Sequence, residues 1–342
     1  MVLTLVLSAL AGALFNWATM PLPWMLGPMI VTMLAAMMKA PIVPPVPARP
    51  YVVVVIGVML GSGFTPDLID QAGAWALSMA FLTVYIAMCG LLVVPYYRRV
   101  GGFDLVTSYF AGMPGGLNEM MLIGRDMGGN DRAIILAHAS RIVVVVALIA
   151  IWFRVVQDVD LSDRSNFGTP FAMIPVVELG ILLLSGIAGY FLGPALRLPA
   201  PTLMGPMLVS AAVHLAGLTD NPPPRELIIV AQVMLGTIIG GRFIGVAART
   251  VLRSVMLSFG ATLIMLAITF VFAFFLYGLV GQSFLQVVLA YSPGGLAEMS
   301  LVALAMNADI AYVASHHLAR ITLVVMLAPL IFRLILARRT GS

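Results

Sequence analysis

The chain has 342 residues, of which 61% are apolar and only 9% charged, and its mean hydropathy is +1.08. Soluble domains carry about 25% charged residues, so this chain cannot cover a globular surface with polar groups and its outer face must meet lipid. Its formal charge of +4 comes from Lys and Arg scattered singly between apolar runs, a topological pattern that does not point to nucleic-acid binding.

Inside a bilayer only helices and closed barrels satisfy the backbone. A barrel would show segments of roughly 10 residues alternating in polarity. The runs here are unbroken and about 17–25 residues long, as helices crossing a ~30 Å hydrocarbon core require. In chain order, the first half is predicted to hold apolar segments near 2–19, 24–40, 51–64, 73–97 and 132–155. Between the last two lies 103–129, moderately apolar and interrupted at Met113-Pro-Gly-Gly. The second half is predicted to hold segments near 173–195, 202–218, 226–240, 253–279 and 309–336, with 283–306 interrupted at Ser292-Pro-Gly-Gly. Residues 2–19 lack a basic leading region and a cleavage site, and a later segment copies them, so they are read as structure. The lone Cys89 sits in an apolar run, which excludes an intrachain disulfide and offers no cysteine-based metal site.

The chain is written twice. Pro21-Leu-Pro23-Trp-Met-Leu-Gly27-Pro28-Met29 recurs as Pro199-Ala-Pro201-Thr-Leu-Met-Gly205-Pro206-Met207, 178 positions on. Val58-Met-Leu-Gly61 matches Val233-Met-Leu-Gly236 at 175 positions. Pro114-Gly-Gly-Leu-Asn-Glu119-Met120 matches Pro293-Gly-Gly-Leu-Ala-Glu298-Met299, and His138-Ala-Ser-Arg141 matches His317-Leu-Ala-Arg320, both at 179. The expected division is a first membrane repeat over 1–156, an external linker at 157–171 and a second repeat over 172–342.

If each interrupted segment dips in and returns, each half has five spans and the halves are inverted; if it crosses, each has six and they are parallel. The positive-inside rule chooses between these. With five spans and the N-terminus inside, Lys39, Arg49, Arg98, Arg99, Arg125, Arg132, Arg197, Arg242, Arg249, Arg253, Arg333, Arg338 and Arg339 are cytoplasmic. The external set then holds Asp67 and Asp70, the inter-half loop with Arg154, Asp158, Asp160, Asp163 and Arg164, and Asp220, Arg225 and Glu226. The expected architecture is an all-α polytopic membrane protein of two inverted five-helix repeats, each with a broken, re-entrant Pro-Gly-Gly segment. Both termini are expected in the cytoplasm, in a bacterial-type inner membrane.

Proline removes a donor and clashes with the preceding turn, and paired glycines let the backbone turn sharply. Pro114-Gly115-Gly116 and Pro293-Gly294-Gly295 are therefore expected to leave half-helices at membrane depth. Their free N–H groups suit an anion, and such paired breaks mark the central site of transporters. Glu119 and Glu298, in the first turn after each break, read either as dipole partners or as a cation- or proton-coupling pair. Arg141 and Arg320 lie near mid-depth; each is read as an ion-pair partner of a glutamate or as a fork for a substrate carboxylate. His138 and His317, three residues earlier, share a helix face with them and suit proton transfer or a backbone hydrogen bond. Asn118, Ser292 and Ser300 break the symmetry with polar groups suited to substrate selection or to local backbone bonds. The histidines at 138, 214, 316 and 317 make no ligand motif, so neither a metal nor a cofactor is expected, and no enzymatic activity.

The duplicated Pro-Gly-Gly-Leu-x-Glu-Met followed by His-x-x-Arg, with the Pro-x-Pro…Gly-Pro-Met turns, resembles the AbrB membrane protein family over essentially the whole chain. That family is distinct from the small soluble DNA-binding regulator of the same name. Its members carry the labels ammonia monooxygenase and regulator of gene expression, and neither label follows from these residues. The layout is more distantly similar to secondary transporters with inverted five-helix repeats. That resemblance implies a homodimeric carrier moving a small organic anion, a carboxylate, with Na⁺ or H⁺. The alternatives are an indirect regulator of gene expression and a membrane monooxygenase; nucleic acid is not an expected partner.

Overall fold

A computed structural model describes residues 1–20, 22–65, 72–156 and 168–340. The expected linker core at 157–167, the external Asp67 and Asp70, and Pro21 of the first turn motif lie outside the described residues. The described residues form helices and no strands.

Among the described residues, seven α-helices appear in each half in the same order. The first set is α1 (Val2–Trp17), α2 (Pro23–Met37), α3 (Arg49–Gly61), α4 (Ala72–Arg99), α5 (Leu105–Gly112), α6 (Leu117–Asp126) and α7 (Asp131–Val156). The second is α8 (Val176–Ala195), α9 (Pro201–Leu215), α10 (Arg225–Gly240), α11 (Ala248–Leu276), α12 (Phe284–Tyr291), α13 (Leu296–Ala305) and α14 (Ile310–Thr340). Among the described residues, six helices are long and apolar enough to cross a membrane: Trp75–Arg99, Asp131–Val156, Val176–Ala195, Arg225–Phe243, Ala248–Leu276 and Ile310–Leu334. The other four expected spans fall on shorter helices. The longest of them, α1, has 16 residues, about 24 Å at 1.5 Å per residue.

Contacts gather the chain into two compact units, each drawn from both halves. The first comprises Met1–Ala72, Val146–Val246 and Ala297–Ala314, and so holds the first three helices of each half. Its turns explain the Pro-x-Pro…Gly-Pro motif. Leu22 and Ala200 both adopt the left-handed conformation at φ 47°, and Pro23 and Pro201 then occupy the first helical position, where a missing N–H costs nothing. Four residues on, Gly27 lies so close to the Ala11 carbonyl of α1 that a Cβ would sit 2.6 Å from its oxygen.

Within this unit each half packs on the other. Gly57 and Gly61 of α3 press against the Leu203 and Met207 carbonyls of α9, while Gly236 and Gly240 of α10 press against the Met25 and Met29 carbonyls of α2. Small residues four apart let helix backbones approach this closely. The pairs align Gly57 with Gly236 and Gly61 with Gly240. The structural offset is thus 179, and the sequence match of Gly61 with Gly236 is one helical turn out of register. Hydroxyls add contacts between helices of the unit: those of Thr237 on α10 and Ser8 on α1 lie 2.8 Å apart, and Ser210 of α9 donates to the Val58 carbonyl of α3 at 2.8 Å.

The second unit comprises Gly73–Val145, Ala247–Leu296 and Ser315–Ser342. It contains both Pro-Gly-Gly sequences and their arginines. Here α5 and α6 fold back on each other. The Asn130 amide, just past α6, donates to Thr107 Oγ1 at the start of α5 (2.9 Å), so the first broken segment is a hairpin. Its arms of 8 and 10 residues are about 12 and 15 Å long, half a hydrocarbon core. The hairpin packs on α14 of the other half through Tyr109, Phe110, Met113, Val324, Ala328 and Phe332. Reciprocally, Tyr291 of α12 lies edge-on to Tyr85 of α4 with ring centroids 5.3 Å apart.

Candidate functional site

The site begins with what the breaks leave undone. Pro114 ends α5, and the carbonyls near its C-terminus lose their helical partners. Arg141 of α7 takes them up. Its Nη1 donates to the Met113 carbonyl at 3.0 Å and its Nη2 reaches the Gly115 carbonyl at 3.5 Å, on either side of Pro114. Nη2 also donates to His138 Nδ1 at 2.9 Å, and His138 Nε2 contacts the Phe110 carbonyl at 2.9 Å. A carbonyl only accepts and a guanidinium only donates. His138 must therefore carry its proton on Nε2 and keep Nδ1 bare: it is the neutral imidazole, with both nitrogens engaged.

The second half repeats the arrangement bond for bond. Arg320 of α14 donates from Nη1 to the Ser292 carbonyl and from Nη2 to the Gly294 carbonyl at 2.6 Å, on either side of Pro293. Its Nη2 also donates to His317 Nδ1 at 3.0 Å, and His317 Nε2 donates to the Leu289 carbonyl at 2.9 Å. The spacing of three places each histidine one turn from its arginine, and the two together lock the geometry of the broken backbone.

Both arginines are buried, at 3% and 1% exposure, and both Nε atoms are buried with no hydrogen-bond partner. No carboxylate among the described residues forms an ion pair with either of them, so the expected Arg–Glu pairing is replaced by backbone carbonyls. The physical reason is availability: the breaks supply orphan acceptors within reach of the guanidinium, and a buried carbonyl left without a donor is costly. Three of the five donors of Arg141 are thereby used, so a fully free fork for a substrate carboxylate is not present. The two guanidiniums lie within Coulombic reach of each other and of Tyr85 and Cys89 on α4. Sequence reasoning missed these two α4 residues, because a tyrosine and a cysteine in an apolar run carry no signal of their own.

The remaining expected residues divide. Pro114 is buried, while Gly115, Gly116, Asn118 and Glu119 are half-buried. Gly116 is the N-cap of α6, and no side chain caps that terminus. Glu119 curls back over it, so that a Cβ on Gly116 would collide with Glu119 Oε2. Only glycine permits this carboxylate to return to the positive end of its own helix. Pro293 and Gly294 are buried and Gly295 is half-buried. Ser292 is fully buried, and its hydroxyl donates to the Val288 carbonyl at 2.6 Å, the local backbone bond that competes with substrate selection. Glu298 and Ser300 belong to the first unit. Glu298 is 7% exposed and accepts from its own backbone N–H; the Ser300 hydroxyl is buried without a partner. His316 contacts Ser78 Oγ at 2.6 Å, and His214 lies in the first unit against the Ser210 and Asn221 carbonyls. Among the described residues no group of three or more metal-ligating side chains converges.

Long apolar helices and a buried, duplicated break define a multi-pass membrane protein. Residues 24–336 match the family described as Transition state regulatory protein AbrB, and the chain belongs to that family. It is 26% identical to "Uncharacterized protein YhjN" of Bacillus subtilis (strain 168), over 96% of this chain and 91% of that protein. It is 27% identical to "Putative regulator AbrB" of Escherichia coli (strain K12), over 96% of this chain and 94% of that protein.

Proposed function

We propose that the protein is a secondary transporter of a small organic anion, a carboxylate, moved past the two broken helices. The observation that carries this reading is the pair of buried guanidiniums, close enough to feel each other's charge and without a carboxylate partner among the described residues. Two like charges in a low-dielectric interior repel strongly, and carbonyl dipoles offset that repulsion only in part. A transient anion meets the remaining need. The Arg141 Nε–H is still free, and an incoming anion would displace the Glu119 carboxylate that now lies over the N-terminus of α6. In this reading the histidines hold the arginines in place and do not carry protons. The coupling role falls to Glu119 and Glu298, with Na⁺ or H⁺ as the coupling ion.

Inverted repeats fit the helix directions in the first unit. The glycine contacts run α10 parallel to α2 and α3 parallel to α9. Consecutive helices that cross a membrane alternate in direction, so equivalent helices of the two halves then run oppositely. Alternating access around paired breaks uses that symmetry. We place the protein in an inner membrane with both termini cytoplasmic, as a homodimer.

The test is uptake of a panel of labelled small carboxylates into proteoliposomes, with and without a Na⁺ or pH gradient. The expected result is saturable uptake that Arg141→Leu and Arg320→Leu abolish. Uptake of no carboxylate by well-folded protein rejects the reading. The name of the Escherichia coli relative, "Putative regulator AbrB", supports a second reading, an indirect effect on gene expression. If that effect follows solute flux, it disappears with uptake in the same variants.

A further inference from the structure

A groove of about 870 Å³ lies on the second unit, walled by α4, α5 and α14. Its volume falls in the range of ligand pockets, roughly 300–1,000 Å³. The walls are apolar, including Leu91, Met113 and Leu327. On α4 it runs from Thr83 to Arg99, about 24 Å at 1.5 Å per residue. That exceeds the ~15 Å depth of one leaflet's hydrocarbon, half of a ~30 Å core. At one end the exposed side chains of Arg98 and Arg99 close it.

We infer that this groove is a binding site for an anionic phospholipid of the bilayer. A long apolar trough ending in two adjacent cations has the chemistry of a lipid in sequence: acyl chain along Leu91, Met113 and Leu327, phosphate on Arg98 and Arg99. Basic residues at the ends of membrane helices recognise anionic headgroups in this way. Neither arginine pairs with a carboxylate among the described residues, so the charge is available to the phosphate. The seat also touches the site. The Met113 side chain lines the groove while its carbonyl is held by Arg141. A bound acyl chain therefore leans on the first break and stiffens it. This inference stands whether or not the protein transports an anion.

The experiment is native mass spectrometry of the purified full-length protein, titrated in detergent with dioleoyl phosphatidylglycerol or dioleoyl phosphatidylcholine. Wild-type protein is expected to retain one phosphatidylglycerol and to discriminate against phosphatidylcholine. The exposed double substitution Arg98→Gln/Arg99→Gln is expected to weaken phosphatidylglycerol binding about 30-fold, two cations each worth a factor of about five near a membrane surface. Arg98→Lys/Arg99→Lys restores it. Ala87→Trp, which fills the trough without touching either arginine, abolishes retention of both lipids. Equal binding of the two lipids by wild-type protein overturns the proposal. So does unchanged phosphatidylglycerol binding in the Gln pair or in Ala87→Trp.

Discussion

At the first break Arg141 reaches its two carbonyls at 3.0 and 3.5 Å, and the turn beyond, from Gly115 to Glu119, is half-buried. At the second, Arg320 holds the Gly294 carbonyl at 2.6 Å and also the Ser292 carbonyl, and Pro293 and Gly294 are buried. The bonding plan is shared and the burial is not. Duplication copied the donors and acceptors; the surroundings then buried one break and left the other half-buried. The half-buried break also carries the more accessible acid, Glu119 against the buried Glu298.

The largest expected effect breaks that comparison outright. Arg320→Leu leaves two buried carbonyls without donors, at about 1–3 kcal/mol each, and is expected to lower thermal stability well below Arg141→Leu. Thermal unfolding in detergent checks this, and equal losses would mean that the two clamps are equivalent. Next comes the acid of the half-buried break. Gly116→Ala drives a Cβ into Glu119 Oε2 and displaces the carboxylate from its helix end. The expected outcome is altered Na⁺ or H⁺ dependence of uptake with stability changed by no more than about 1 kcal/mol.

A smaller effect is expected at the base of the first hairpin. Asp104 is the N-cap of α5, accepting from the Thr107 amide at 2.9 Å and from the Thr107 hydroxyl at 2.5 Å. Burial pushes its carboxyl up, but these bonds and one from the Val106 amide outweigh burial and hold it below the usual value. Its stabilising contribution is thus present above the ordinary aspartate range and lost as pH falls through the lowered value. Asp104→Ala is expected to cost about 1 kcal/mol at neutral pH and to flatten the acid limb of a stability–pH curve.

The smallest effect compares the caps of α7 and α14, where Asn130 and Asp309 hold equivalent positions. Burial raises the Asp309 carboxyl, outweighing the Tyr312 and Ala311 amides that lower it. A raised carboxylate binds more protons folded than unfolded, so its contribution declines as pH rises through that range. Asp309→Asn, which copies the first half, is expected to stabilise the fold by less than about 1 kcal/mol at pH 7–8 and not at pH 4, seen as a small rise in melting temperature.

Much of this was legible in the residues. Pro114-Gly-Gly and Pro293-Gly-Gly announced breaks because proline and glycine act on their own backbone, and each break falls between two short helices. His138 with Arg141 and His317 with Arg320 announced a shared face because three residues make nearly one turn. The partners of the arginines were not legible. Glutamates nearby in sequence suggested ion pairs, yet the acceptors are carbonyls 26 to 28 positions away. The register of the glycine pairs also escaped the sequence. Identity favoured Val-Met-Leu-Gly at 175 positions, whereas close backbone approach selects Gly57 with Gly236 and Gly61 with Gly240.

Taken alone, the order of amino acids determined that this chain is helical, lies in a membrane, is duplicated, and interrupts a helix twice beside a histidine and an arginine. Those properties follow from hydropathy and local backbone sterics, which act over a few residues. Tertiary structure alone decided that three helices from each half form one compact unit, and that each guanidinium closes on the carbonyls of its own break. A buried donor takes whichever acceptor the rest of the fold leaves unpaired, and that is known only once every other backbone bond has been made.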